Sequence, residues 1–152
     1  VVLVLCGDAP LIPEALLRAV LDRQAASGAD CVAVAAEMDD PSGYGRMITA
    51  ADGSLQAIVE HKDATPAQRQ VRLVNSGLYA FDATALFERL QRIRNDNAQG
   101  EYYLPDVIRL LVDDGRRVEL VVTGDSAAVF GVNTPADLTA AEDLYARRQA
   151  DD

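Results

Sequence analysis

The stretch that decides the fold is VVLVLCGDAPL, residues 1–11. Val1–Leu5 is a continuous apolar run, the pattern of a β-strand covered on both faces. Outward from it, Pro13–Ser27 carries apolar residues at helical spacing and is followed by Gly28, a common helix stop. Asp30–Glu37 then has the pattern of a second buried strand. This β-loop-α-β opening has about the length of one parallel crossover unit, so we predict an α/β fold.

A hairpin is predicted midway along the chain, where two strand-like runs flank Asp52-Gly53. Because a hairpin adds antiparallel strands to an α/β unit, the sheet should be mixed. No internal repeat or interdomain linker interrupts residues 1–152, which are predicted to form a single unit. The remaining pattern predicts strands at Arg46–Ala50, Leu55–Glu60, Val71–Phe81, Val118–Val122 and Ala128–Val132, and helices at Ala83–Ile93, Pro105–Val112 and Pro135–Arg148.

Composition and charge argue against several classes of function. The formal net charge of −10 is the opposite of what a nucleic-acid binder needs, although it does not exclude nucleotide substrates. No apolar run reaches the roughly 18 residues that span a bilayer, and no basic segment precedes the opening strand as in a signal peptide. Cys6 and Cys31 lack zinc-site spacing; they fit buried thiols of a cytoplasmic protein, with a disulfide left open.

Polar residues at strand ends are the first candidates for a site. Asp8 directly follows the opening strand, where ligands bind in open α/β sheets and where a carboxylate can hold a hard cation. Gly7 beside it would let a ligand approach the backbone closely. A turn-capping role explains Asp8 equally well. Asn133 follows the predicted strand Ala128–Val132 and precedes Pro135, a position typical of a helix N-cap.

Three further positions carry polar groups that a ligand would use, each with a plainer alternative. Gly45 belongs to a tight loop, SGYG, with accessible amides, or to an ordinary turn. Glu60 ends a strand and would accept hydrogen bonds from sugar hydroxyls, or it lies in a solvated charged loop. Asn75 stands inside an apolar strand, where its amide needs a partner, either a ligand or a bulge.

Several other enzyme classes lack their motifs in this sequence. There is no GxxxxGK[ST] phosphate loop and no GxGxxG after a strand, which argues against P-loop and nicotinamide-dependent enzymes. No GxSxG elbow occurs, and a serine hydrolase would have to depend on the single histidine, His61. The segment Asn97–Asp106 is dense in polar and aromatic residues and is predicted to be a structured loop.

Taken in order, the segments GDAPL, GYGR, VEHKDATPAQR, VNSGLYAF, NAQGEYYLPDV and GVNT resemble the uridylyltransferase domain of the bifunctional GlmU family. The resemblance extends from about Leu3 to about Leu144. EHKDAT and NAQGEYYL are specific to that family, whereas GDxPL and the NxG strand are shared with sugar nucleotidyltransferases more widely. The sequence departs from the usual pattern at Ser76 and Pro105, where threonine is usual. The resemblance implies a Rossmann-like, glycosyltransferase-A type three-layer fold.

The resemblance also implies an activity and the residues that carry it. Uridylyl transfer from UTP to N-acetylglucosamine 1-phosphate would give UDP-N-acetylglucosamine, a cell-wall precursor, and pyrophosphate. The alternatives are a nucleotidyltransferase for another sugar phosphate, a noncatalytic sugar-nucleotide-binding module, or a structural domain. In the implied site, Asp8 and Asn133 are the ligands of Mg²⁺, and Asp8 is the catalytic residue. The residues that would bind the substrates are Gly7, Gly45, Glu60, Asn75 and Asn133.

Two parts of the family's pattern do not occur in residues 1–152. One is the glycine-rich LAAGxGTRM loop that holds the nucleotide phosphates, and the other is the left-handed β-helix acetyltransferase domain. Together with an opening inside an apolar strand, this predicts an internal fragment, the C-terminal two-thirds of a nucleotidyltransferase domain without its first strand. We expect this fragment to be inactive alone and to self-associate through its uncovered strand. The resemblance allows a homotrimer for the full-length protein.

Overall fold

A mixed six-stranded sheet forms the centre of the protein in a computed structural model that describes residues 1–151. Asp152, the last residue of the predicted unit 1–152, lies outside the described residues. In chain order the elements are β1 (Val2–Val4), α1 (Glu14–Ser27), β2 (Cys31–Glu37), β3 (Arg46–Thr49), β4 (Leu55–Val59), α2 (Pro66–Arg69), β5 (Leu73–Phe81), α3 (Ala83–Leu90), α4 (Asp106–Asp113), β6 (Val118–Thr123), a 3-10 turn (Ser126–Val129) and α5 (Pro135–Asp151).

The strand order is β4-β3-β5-β2-β6, with β1 paired to β5 beside this path. β2 and β6 pair in parallel, and the other strand pairs are antiparallel. Since β1 and β2 are both antiparallel to β5, they run in the same direction, as expected for a crossover through α1. They are not neighbours, however, because β5 lies between them. The predicted mixed sheet is confirmed.

One edge of β5 is covered along its length by β2, so β1 and β3 share the opposite edge. On that edge β1 ends with the pair Val4–Tyr79, and β3 begins with the pair Arg46–Val74. Between these two pairs, residues 75–78 of β5 have no strand beside them on this edge. The sheet therefore contains a gap that is bordered by the residues following β1 and the residues preceding β3.

A bulge in β5 lies at the same place. The pairing with β2 changes from Ala33–Tyr79 to Ala35–Asn75, so β5 carries two extra residues there. Ser76 replaces the lost ladder contacts: its hydroxyl donates to the Val34 carbonyl at 2.7 Å and accepts from the Leu78 amide at 3.0 Å. A bulge was one of the two explanations for an asparagine in this strand, and it is present.

The core lies on both faces of the sheet, as a three-layer fold requires. Alternate residues of β2 divide between the faces: Cys31, Ala33 and Ala35 pack with residues of α3 and α4, whereas Val32 and Val34 pack with Val20 of α1. The cluster on the α3 and α4 face comprises Cys31, Ala33, Ala35, Met47, Leu55, Ile58, Tyr79, Phe81, Ala85, Leu86, Val107, Ile108 and Leu111. The three-layer α/β prediction is confirmed.

The predicted strand Ala128–Val132 is wrong. Its first residues belong to the 3-10 turn Ser126–Val129, which begins where the Asp125 carboxylate accepts the Ala127 amide at 3.0 Å. Ala128 and Val129 are apolar because they are buried in the core, not because they pair in the sheet. A short helix, α2, also forms within the polar segment that follows Glu60. No helix in the described part of the chain is both long enough and apolar enough to cross a membrane.

Candidate active site

The gap in the sheet opens into a cleft of about 530 Å³. Residues from the ends of β1 and β4, from the bulge of β5 and from the loops before β3 and α5 line it. Five of the six predicted site residues are among them: Asp8, Gly45, Glu60, Asn75 and Asn133. Gly7 does not line the cleft itself, although its neighbours Cys6 and Asp8 do.

Asp8 and Asn133 meet at one end of this cleft. The Val132 amide donates to the Asp8 carbonyl at 2.8 Å, which joins the loop after β1 to the segment before α5. A β-carbon at Gly131 would lie 3.6 Å from Asp8 Oδ2 and 3.5 Å from the Asn133 side-chain amide. The two side chains thus face the same small space, which remains open because residue 131 is glycine.

Asn133 is not the N-cap of α5, so the plainer interpretation of this residue is wrong. The cap is Thr134, whose hydroxyl accepts the Asp137 amide at 3.2 Å. Asp137 in turn accepts the backbone amides of Thr134 at 2.8 Å and Asn133 at 3.0 Å, and these bonds lower the pKa of Asp137 below its usual value. Because α5 is capped without it, the Asn133 side chain is available to the cleft.

Gly45, Glu60 and Asn75 meet at the other end. The Asn75 amide donates to the Gly45 carbonyl at 2.8 Å, which holds the loop before β3 against β5. A β-carbon at Gly45 would lie 3.1 Å from Glu60 Oε1 and 3.5 Å from Asn75 Cβ. A β-carbon at position 45 would therefore press on Glu60 Oε1 and on Ile58 Cγ2, which is 3.3 Å away, whereas its distance from Asn75 is an ordinary van der Waals contact.

The cleft is acidic. Burial, and then the nearby carboxylates of Asp63 and Asp106, raise the pKa of Glu60 above its ordinary value. Cys31 is a buried free thiol as expected, whereas Cys6 is an exposed one, so the prediction of a buried thiol is wrong for Cys6. Partial burial, and then the charges of Asp8 and Glu60, raise the pKa of the Cys6 thiol, so the thiol keeps its proton. No lysine or arginine is among the described residues that line this cleft. An anionic ligand placed here would need a cation to accompany it.

The loop Asn97–Asp106 is structured, as predicted, and it packs on the segment after Glu60. The Ala98 amide donates to Asp63 Oδ1 at 2.8 Å, and Lys62 Nζ donates to Gln99 Oε1 at 2.6 Å. His61 has a structural contact of its own, since its Nδ1 accepts the Gly43 amide at 3.3 Å. The charged run 60–63 is therefore fixed in place rather than freely solvated.

Two residues of the site were missed by the sequence reasoning. Gly77 has a φ of +74°, and a β-carbon there would lie only 2.1 Å from Cys6 Sγ. Gly77 lies in the NSG segment, whereas Cys6 lies between the opening strand and the GDAPL motif, which begins at Gly7. Their contact is long-range, and nothing in the local pattern indicated that one packs on the other.

Comparison with known proteins identifies the class. A family model described as nucleotidyl transferase matches residues 1–141. The chain belongs to the nucleotidyl transferase family, and the strand-end aspartate and the cleft described above lie within the matched region.

The similarity to the GlmU family that the motifs indicated is confirmed. The chain is 46% identical over 142 residues to the bifunctional protein GlmU of Bacillus velezensis, covering 93% of this chain and 31% of that protein. It is 42% identical over 146 residues to the bifunctional protein GlmU of Staphylococcus saprophyticus, covering 96% of this chain and 32% of that protein. The chain thus spans about a third of the length of the curated relatives it matches.

A solved structure agrees with the fold. The crystal structure of a protein assigned as a glucose-1-phosphate thymidylyltransferase from Bacillus anthracis, in complex with a sucrose, matches with a TM-score of 0.68. The match covers 93% of this chain and 53% of that one at 17% identity, so it supports the fold alone.

Proposed function

We propose that this chain forms the metal and sugar side of a uridylyltransferase that joins UTP and N-acetylglucosamine 1-phosphate into UDP-N-acetylglucosamine and pyrophosphate. The observation that carries the proposal is the cleft itself, which has the Asp8 carboxylate and the Asn133 amide at one end and the polar groups of Gly45, Glu60 and Asn75 at the other. The similarity to GlmU proteins supports the identity of the two substrates. The cytoplasmic location and the homotrimer stay predictions for the full-length protein.

The residues at the Asp8 end fit a magnesium ion. The resemblance to the GlmU family implies Mg²⁺ as the ion. Mg²⁺ prefers oxygen ligands and is commonly bound by one or two protein side chains, with substrate phosphates and water completing the octahedron. Asp8 and Asn133 supply two such groups across the open space at Gly131. The described residues contain no group of three or more His, Cys, Asp or Glu that could hold a metal, so substrates and water would have to complete the coordination of an ion at Asp8 and Asn133.

When bound there, Mg²⁺ would neutralise phosphate charge and help to align the phosphates of the two anionic substrates. This contribution matters because the lining of the cleft is acidic. Asp8 would hold the ion and, with Asn133, fix its position relative to the sugar end. Gly7 beside Asp8 leaves the backbone of this loop open to close approach.

At the sugar end, Glu60 would accept hydrogen bonds from hydroxyl groups, and Gly45 and Asn75 would contribute polar groups to the N-acetyl side and the ring. Binding the sugar in a fixed orientation directs its phosphate along the cleft, where a phosphate oxygen attacks the α-phosphorus of UTP and pyrophosphate leaves. Positioning of this kind supplies much of the rate enhancement in phosphoryl-type transfer. A covalent nucleophile is not required, and the protonated Cys6 is poorly suited to be one.

The test is pyrophosphate release from UTP and N-acetylglucosamine 1-phosphate with Mg²⁺, measured in the longest form of the protein that its gene encodes. Asp8→Asn, which keeps the size of the side chain and removes its charge, should lower kcat by about 10²-fold or more while the protein stays folded by circular dichroism. Asp22→Asn, on the exposed surface of α1, is the matched control and should be unchanged. Near-normal turnover of the Asp8 variant would refute the metal assignment.

Substrate choice is tested in the same assay. Glucose 1-phosphate and N-acetylgalactosamine 1-phosphate replace the sugar phosphate, and dTTP replaces UTP. Preference for another sugar phosphate would identify a different nucleotidyltransferase. Binding of UDP-N-acetylglucosamine without pyrophosphate release from any pair would instead identify a noncatalytic sugar-nucleotide-binding module.

A further inference from the structure

The Asn75 side chain is fixed by two hydrogen bonds to the same atom. The Gly77 backbone amide donates to Asn75 Oδ1 at 3.2 Å, and the Tyr79 hydroxyl donates to it at 2.8 Å. A backbone N–H can only donate, so the Gly77 contact identifies the atom it meets as the amide oxygen. The bulge in β5 creates this arrangement, because it brings residue 77 back toward the side chain of residue 75.

Tyr79 is suited to hold this oxygen. It is 2% exposed, and its ring packs in the core with the Phe81 ring at a centroid distance of 5.5 Å, so its position is set independently of any ligand. Burial raises the pKa of Tyr79 above its ordinary value, so the hydroxyl keeps the proton that it donates.

The consequence is a defined hydrogen-bond polarity for the sugar end of the cleft. With its oxygen occupied, Asn75 has its amide nitrogen left for a ligand, and this nitrogen has no hydrogen-bond partner within residues 1–151. The Gly45 backbone N–H also has no partner in the described chain. Beside these two donors stands Glu60, whose ionised form only accepts. A ligand hydroxyl fits this set when it donates to Glu60 and accepts from Asn75.

We propose that Tyr79 is a positioning residue for the sugar subsite, which holds the Asn75 amide so that its NH₂ group, and not its carbonyl oxygen, meets the ligand. The sugar-binding part of this inference rests on the proposed function, whereas the side-chain arrangement does not. Tyr79 acts through Asn75 and touches neither substrate in this scheme.

The arrangement is tested first without any substrate, by NMR of the ¹⁵N-labelled protein in the longest form that its gene encodes. The Asn75 side-chain NH₂ signals are assigned by their absence in Asn75→Ala. Tyr79→Phe, which removes the hydroxyl and leaves the ring in the core, should shift these signals and the Gly77 amide signal. Tyr145→Phe, on the exposed surface of α5, is the control and should leave both unchanged. Unchanged Asn75 and Gly77 signals in Tyr79→Phe would overturn the proposal, whatever the enzyme assay shows.

The functional half is tested by a double-mutant cycle in the pyrophosphate assay. Tyr79→Phe should raise KM for the sugar 1-phosphate about three- to tenfold, the loss expected for one hydrogen bond, and leave KM for UTP unchanged. In the Asn75→Ala background, Tyr79→Phe should alter KM for the sugar 1-phosphate by less than about twofold, because the Asn75 side chain through which Tyr79 acts is absent. Independent effects that multiply would show that Tyr79 does not act through Asn75.

Asn75→Asp tests the polarity itself. It keeps an oxygen for Gly77 and Tyr79 and replaces the donor with a second acceptor, so sugar-phosphate use should fall at least as far as in Asn75→Ala. Retained use in Asn75→Asp would mean that the ligand meets an acceptor, and the proposal would be wrong. Absence of sugar-phosphate turnover in the wild-type protein would count against the proposed function only, because the NMR result decides the Tyr79 contact separately.

Discussion

Gly77→Ala should be among the most destabilising single substitutions outside the main core, for two reasons that can be separated. The backbone at Gly77 has a φ of +74°, where a residue with a β-carbon costs about 1–2 kcal/mol. The added methyl would also lie 2.1 Å from Cys6 Sγ, an overlap that forces the loop after β1 to move. Overpacking of this kind typically costs about 1–3 kcal/mol, so we expect a total loss of about 2–5 kcal/mol.

The assay is urea unfolding of the chain, followed by circular dichroism. Gly53→Ala is the matched control, since Gly53 has a φ of +84° and nothing within 4 Å of the new methyl group, so it should lose only the backbone component of about 1–2 kcal/mol. Cys6→Ala, combined with Gly77→Ala, removes the sulfur and should restore most of the difference between these two variants. Equal losses for Gly77→Ala and Gly53→Ala, or no recovery with Cys6→Ala, would refute the packing argument.

Two further outcomes are expected. Because the pKa of Glu60 is raised in the folded state, its ionisation lowers the stability of the fold above that pKa and has no effect below the unfolded pKa of about 4.3. Glu60→Gln should therefore raise the urea midpoint at pH 7 and leave it unchanged at about pH 3.5. The same substitution should weaken sugar-phosphate use. Thr134→Ala removes the cap of α5 and should cost about 1 kcal/mol of stability. Asn133→Ala should cost little stability and lower turnover. A loss of stability in Asn133→Ala but not in Thr134→Ala would show that Asn133 is the cap.

Much of the fold followed from local pattern. The continuous apolar run of β2 and the hairpin turn at Asp52-Gly53 were readable because their signals lie within a few neighbouring residues. Strand order was not readable in this way, because the position of β5 between β1 and β2 depends on pairings between residues far apart in sequence. The prediction of a strand at Ala128–Val132 was wrong for a related reason, because burial in the core and pairing in a sheet produce the same apolar run.

The site was predicted in part by chemistry and in part by resemblance. Residue type and position alone left Asp8 between a ligand and a turn cap, and left Asn133 between a ligand and a helix cap. For Asn133 the sequence itself contained the answer. Thr134 and Asp137 have the spacing of a capping box, so α5 does not need Asn133 as its cap. The Tyr79–Asn75 contact had no such signal, because it depends on how far the bulge turns the strand.

The location of the cleft follows from how little of the free edge of β5 is paired. β5 has nine residues, and the two strands on this edge pair with only four of them, β1 with three and β3 with one. The rest of this edge is unpaired, and the candidate site residues lie where pairing stops: Asp8 after β1, Gly45 before β3, and Asn75 at the start of the bulge. The usual expectation of ligands at the carboxyl ends of parallel strands accounts only for Asp8. For the other two, an interrupted antiparallel edge exposes polar backbone and side chains together, which is why we propose a sugar subsite at the Gly45 and Asn75 end of the cleft and a metal site at the Asp8 end.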